Sequence, residues 1–106
     1  TAYALSAGGP IISPDLDALV LVPMFPHTLS MRPIAINANN KVKITIANDL
    51  ETKPRVSCDG ETPISIPQGG HIHVEKSKQY LNLVHPKNYN YFHTLRTKLH
   101  WGAKLC

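Results

Sequence analysis

His71 and His73 stand two residues apart, a spacing that places both imidazoles on one face of an extended strand. Such a pair could begin a metal site, with Cys58, His85, His93 and His100 as distant further ligands. A protein-bound metal needs three or four ligands converging at about 2.0 to 2.3 Å, and no second tight pair accompanies this one. Exposed strand histidines are the better reading, and no metal ligand is assigned. Asp59 and Glu61 flank Gly60 and look like paired carboxylates, yet Asp-Gly is first of all a turn dipeptide. The chain has no G-x-S-x-G elbow for a serine nucleophile. It has neither of the glycine-rich phosphate cradles, G-x-x-x-x-G-K-[ST] and G-x-G-x-x-G. No catalytic residue can therefore be named from the residue types alone. Cys58 and Cys106 read as two free thiols of a reducing compartment rather than as a disulfide.

The elements that must position these groups are mostly short strands. Ala2, Leu5 and Ala7 precede Gly8-Gly9-Pro10, which predicts a short helix with a glycine-then-proline stop. Leu19 to Val22 is a branched apolar run suited to a strand. Pro23, Pro26 and Pro33 make the next stretch a structured loop. Ile34 and Ile36, a polar turn at Asn37 to Asn40, and Val42, Ile44 and Ile46 predict a hairpin with one wet face. Further strands are expected at residues 55–58, at Ile64 and Ile66, at residues 71–75, and at Leu81 and Leu83. Phe92, Leu95 and Leu99 form one stripe of a terminal helix that needs something to pack on. The pattern is mainly β, sandwich-like or barrel-like, with a helix at each end.

At 106 residues with 42% hydrophobic content the chain is sized for one domain, residues 1–106. The longest apolar run, residues 18–25, is broken by Pro23 and is too short for a membrane span, so no membrane partner is expected. The start has neither a methionine nor a basic-then-apolar leader, so residue 1 is expected not to be the biological beginning. Charge is unevenly placed: five cations face seven acids up to Glu75, and six cations and no acid follow it. A basic C-terminal third suits phosphate, nucleic acid or an acidic protein surface. One alternative is accordingly a stand-alone β-barrel that binds nucleic acid through this third and Tyr80, Tyr89 and Tyr91. Against it, the tyrosines are not interleaved with the cations along one strand.

Three blocks carry a more specific signal: T-A-Y-A-L-S-A-G-G-P at residues 1–10, L-V-L-V-P-M-F-P-H-T-L-S-M-R-P at residues 19–33, and Cys58-Asp59-Gly60. With the ending L-R-T-K-L-H-W at residues 95–101, they resemble the C-terminal portion of bacterial NAD kinases of the gammaproteobacterial type, from the first residue to the last. The resemblance implies an enzyme that moves the terminal phosphate of ATP, or of polyphosphate in some members, to the adenosine-ribose 2′-hydroxyl of NAD. It implies a β-sandwich-like C-terminal domain and a separate N-terminal α/β domain whose Gly-Gly-Asp-Gly-Thr aspartate accepts the proton. Neither that motif nor the family's Asn-Glu or Asn-Asp motif occurs in this chain. The chain is thus expected to supply NAD contacts, to lack the general base, and to be inactive alone.

By the same resemblance, the NAD site takes in Thr1, Ala2, Tyr3, Ala4, Leu5 and Ser6. The Thr1 hydroxyl suits the adenine edge, and Tyr3 offers a ring and a phenol beside the nicotinamide riboside. Ser6, three residues on, is expected to face the same ligand. Glu61 occupies a position that is often Gln in the family, and its carboxylate accepts but does not donate and repels phosphate. Asp59 and Gly60 match an Asp-Gly common to many members, Gly60 permitting positive φ and close approach. His27 and Arg32 are expected to be structural. The implied partners are NAD, ATP with a divalent ion such as Mg2+ held mainly outside this chain, the N-terminal domain, and further copies in a homodimer or homotetramer, with no nucleic acid.

Overall fold

The computed structural model describes residues 2–104, without the side chain of Ala2. Thr1, Leu105 and Cys106 lie outside the described residues, and with them the Thr1 contact and the state of the Cys106 thiol. Helix α1 (Ala2–Ser6) is followed by strands β1 (Ala18–Leu21), β2 (Ile34–Asn37), β3 (Val42–Thr45), β4 (Arg55–Val56), β5 (Ile64–Ser65) and β6 (His71–Val74), then by helix α2 (Tyr91–Leu99). The mainly β class and both helices agree with the sequence reading.

Among the described residues the strands form three antiparallel pairs, β1 with β2, β3 with β6 and β4 with β5. In the first pair Leu19 faces Ile36 and Leu21 faces Ile34. In the second, Val42 faces Val74 and Ile44 faces Ile72, while Lys43 and Thr45 face His73 and His71 on the wet side. Ile46 extends that ladder, donating to Gly70 O at 2.9 Å and accepting from Gly69 N–H at 3.0 Å. The β4–β5 pair, extended by Ile66 N–H to Pro54 O at 3.0 Å, is nested between β3 and β6.

Two strand expectations require correction. β2 and β3 are not a hairpin, because β2 pairs back onto β1 and β3 pairs with β6. The polar turn between them does exist: Asn40 N–H donates to Asn37 O and Asn39 N–H to Asn37 Oδ1. However, Ala38 N–H donates to Asp17 O at 3.0 Å, prolonging the β1–β2 ladder and burying Ala38, so the turn hands the chain from one sheet to the next. Alternation fixes which face is apolar and leaves the partner undetermined. Leu81 and Leu83 also form no strand, since residues 75–90 run without regular structure and offer no paired edge.

Helix ends follow their sequence signals. Gly8 takes φ +84 after α1, and Gly8 N–H and Gly9 N–H donate to Leu5 O (3.0 Å) and Ala4 O (2.7 Å), the paired bonds of a Schellman stop. Asn90 caps α2 by accepting from His93 N–H at 3.0 Å. Arg96 and Lys98 occupy the last turn of α2, where positive charge complements the helix dipole. Tyr91 Oη donates to Ile12 O at 3.4 Å, tying α2 to the segment after α1. Leu95 is half-buried, but Phe92 and Leu99 remain more than half exposed. Beside them, Ile11, Ser13, Tyr91, Phe92, Leu95 and Trp101 line a cavity of about 210 Å³.

Candidate functional site

Helix α1 lies against the end of β1 and the proline loop, and its glycine stop sets that placement. A Cβ on Gly9 would lie 2.7 Å from Ala4 O and 2.8 Å from Val22 Cγ2, so only glycine lets the chain turn back this closely. Tyr3 and Ala4 then line a cavity of about 230 Å³ with Ala7, Val20, Val22 and Met24. Ser6 lines an adjoining cavity of about 370 Å³ with Ala7, Pro23, Met24, Phe25 and Pro26. The two share Ala7 and Met24, so Tyr3 and Ser6 face neighbouring hollows of one surface rather than a single pocket. Tyr3 is 73% exposed, leaving its ring open to a ligand. Leu5 is exposed as well.

The β4–β5 hairpin reaches the same surface. Asp59 and Gly60 both have positive φ, +49 and +77, and Glu61 N–H donates to Cys58 O at 2.8 Å, which defines a type I′ turn. Ser57 Oγ donates to Glu61 O at 2.6 Å and braces it. A Cβ on Gly60 would lie 3.7 Å from Tyr3 Oη. The structure therefore brings together Tyr3 of the first helix and the Asp59-Gly60-Glu61 turn, 56 positions apart in sequence at Asp59. Asp59 and Glu61 are exposed, and among the described residues neither side chain takes part in an ion pair or a side-chain hydrogen bond. Met24 and Phe25 had no signal as site residues in the sequence; they belong here because the loop folds under α1, a long-range contact that no local pattern encodes.

The remaining candidates stand apart. His71 and His73 are exposed on the wet face of β6, their ring centroids 6.4 Å apart. Among the described residues no three His, Cys, Asp or Glu side chains gather so that they could hold a metal ion. Cys58 is an exposed thiol. The tyrosines of the basic third do not share one stacking surface: Tyr89 is stacked on His85 at 3.9 Å, Tyr91 points to Ile12, and Tyr80 is exposed.

Comparison with known families decides between the two readings of the chain. The ATP-NAD kinase C-terminal domain family matches residues 1–86. The chain belongs to that family. NAD kinase of Pseudomonas fluorescens is 53% identical over 99% of this chain, and NAD kinase of Ectopseudomonas mendocina is 51% identical over the same share. In both, the matched segment is 36% of the relative, so the chain spans about a third of the length of the curated relatives it matches. Among solved structures, a yeast NADH kinase complexed with NADH superposes with a TM-score of 0.79 at 27% identity, covering 100% of this chain and 34% of that one. The likeness supports the β-sandwich-like class for this ATP-NAD kinase C-terminal domain.

Proposed function

We propose that this chain is the dinucleotide-binding part of an enzyme that phosphorylates NAD at the expense of ATP. The meeting of Tyr3 with the Asp59-Gly60-Glu61 turn on one open face supports the reading most directly. That face offers what a dinucleotide needs: an exposed aromatic ring, carboxylate and hydroxyl acceptors, and adjoining hollows of about 230 and 370 Å³. In this proposal Thr1, Ala2, Tyr3, Ala4, Leu5, Ser6 and Glu61 contact NAD, with Asp59 and Gly60 forming the turn beside Tyr3. The Tyr3 ring packs against the nicotinamide riboside, and the Thr1 hydroxyl serves the adenine edge.

In the reaction, the adenosine-ribose 2′-oxygen forms a bond to the terminal phosphorus of ATP while the bond to the ADP oxygen breaks. The hydroxyl proton passes to a carboxylate supplied by an N-terminal α/β domain outside this chain. Positioning and charge neutralisation dominate the catalysis of phosphoryl transfer, and this chain's part is positioning: it holds the acceptor nucleotide still. In this proposal the divalent ion that travels with ATP, Mg2+, is held mainly by those other parts. A cytoplasmic location and a homodimer or homotetramer complete the proposal. No helix among the described residues is long and apolar enough to cross a membrane.

The test is product formation. The full-length enzyme supplied with NAD and ATP is expected to yield NADP and ADP, and the isolated 106 residues, freed of full-length protein by size and mass, to yield none. NADP made by the isolated chain would remove the proposed division of labour.

A further inference from the structure

We propose, on the reading of the Tyr3 face as an NAD site, that Ser57 is a positioning residue for that site: its hydroxyl holds the Asp59-Gly60-Glu61 turn at Tyr3 and so strengthens NAD binding. In the hairpin that carries the turn, Arg55 faces Ser65 and Val56 faces Ile64. Two residues further on the chain has left that register, since Glu61 N–H donates to Cys58 O at 2.8 Å. Ser57 on the first strand thus stands against both Thr62 and Pro63 on the second, a bulge of one extra residue. Pro63 brings no N–H to the ladder there. Among the described residues, the Glu61 to Cys58 bond is the single main-chain bond between residues 57–58 and residues 61–63. In a regular two-residue hairpin the two residues that flank the turn exchange a second such bond. Here Glu61 O accepts from Ser57 Oγ instead, at 2.6 Å. A side-chain hydrogen bond therefore spans the bulge and ties the far side of the turn to β4.

The turn held in this way meets the first helix: a Cβ on Gly60 would lie 3.7 Å from Tyr3 Oη. Positive φ at Asp59 and Gly60 sets the shape of the turn, and the Ser57 bond sets its direction relative to β4. Without the hydroxyl the turn hangs on one main-chain bond beyond a bulge, where pairing is already interrupted. It then rocks about Ser57 and Pro63, and Gly60 and Glu61 move relative to Tyr3. Ordering such a loop at the moment of binding costs affinity, and a loop ordered beforehand escapes that cost. Ser57 acts in this way through Glu61, apart from the transfer step, whose proton acceptor lies outside this chain. A hydrogen bond of ordinary net strength corresponds to roughly threefold to tenfold in affinity.

The experiment is steady-state kinetics of the full-length enzyme as wild type, Ser57→Ala, Ser57→Thr and Tyr3→Ala. Ser57→Ala removes the donor, and Ser57→Thr keeps it on a side chain suited to extended backbone. Ser57→Ala is expected to raise KM for NAD roughly threefold to tenfold. Its kcat and its KM for ATP are expected to stay within about twofold, the pattern of binding lost equally from ground state and transition state. Ser57→Thr is expected to restore KM for NAD to within about twofold of the wild type. A KM for NAD unmoved by Ser57→Ala, or raised as far by Ser57→Thr, overturns the proposal. A Ser57→Ala enzyme that does not fold, or that loses kcat at unchanged KM, overturns it too, because the hydroxyl then carries the fold rather than the direction of the turn. Tyr3→Ala with an unchanged KM for NAD overturns the NAD-site reading, and this inference with it; a raised KM in Tyr3→Ala beside an indifferent Ser57→Ala overturns the inference alone.

Discussion

Gly8 and Gly9 sit side by side and are required for different reasons. Gly8 has φ +84 and open space around its missing Cβ, so alanine there strains only the backbone, at about 1 kcal/mol. Gly9 has an ordinary φ but no room, with Ala4 O and Val22 Cγ2 both inside 3 Å of a Cβ, so Gly9→Ala forces α1 off β1 at about 1 to 3 kcal/mol. Gly9→Ala is therefore expected to lower the thermal midpoint of the full-length enzyme more than Gly8→Ala, and to weaken NAD binding because Tyr3 moves with α1. The sequence showed both glycines as a helix stop, but the approach of Val22 is long-range and left no local trace. Lys76 offers a pH-dependent test at the same scale. Its hydrogen bond to Asp17 raises its pKa above the usual 10.5. A folded-state pKa above the unfolded one stabilises the fold at all pH below about 10.5, and the contribution disappears as pH rises through the folded value. Lys76→Met is expected to remove that alkaline loss of stability, seen as a flatter midpoint against pH above about 10.

Among the elements, those written in local chemistry were legible and those made by distant pairing were not. Asp59-Gly60 was readable as a turn because Asp and Gly tolerate positive φ, and both adopt it. Phe92, Leu95 and Leu99 were readable as a helix because their spacing matches 3.6 residues per turn, and α2 contains all three. The apparent hairpin of β2 and β3 failed because β2 pairs with β1, sixteen residues before it at its start, in a ladder that Ala38 N–H to Asp17 O prolongs. The site follows the same division. Tyr3, Asp59, Gly60 and Glu61 came into view through the family resemblance of their motifs, whereas their meeting at one surface depends on how α1 and the β4–β5 hairpin are placed. At this scale Asn90→Ala is expected to cost about 1 kcal/mol by removing the N-cap of α2. The check is faster amide exchange in residues 91–94 than in the rest of the helix.

The molecule as a whole exposes far more surface than its mass requires. Its accessible area is 9867 Å², against about 5,900 Å² for a compact monomer of this size. Its radius of gyration is 17.3 Å, against about 13 Å. Among the described residues Ala38 is the single buried hydrophobic side chain, and large apolar groups such as Leu29 (94% exposed) and Val84 (95%) face solvent. Such a surface is stable in water only when covered, which agrees with a chain spanning 36% of its relatives. The basic, apolar stretch after Glu75 suits a partner surface that is itself acidic and apolar. The isolated 106 residues are expected to bind a hydrophobic dye and to melt without a sharp transition, in contrast to the full-length enzyme; a sharp, dye-free transition would show a self-sufficient fold. The central claim, that this chain holds the acceptor dinucleotide, is tested most directly by steady-state kinetics of full-length Tyr3→Ala. Loss of an aromatic stacking face is worth about 1 to 3 kcal/mol, so KM for NAD is predicted to rise roughly tenfold to a hundredfold while KM for ATP stays within about twofold. An unchanged KM for NAD, with KM for ATP raised instead, would contradict the account.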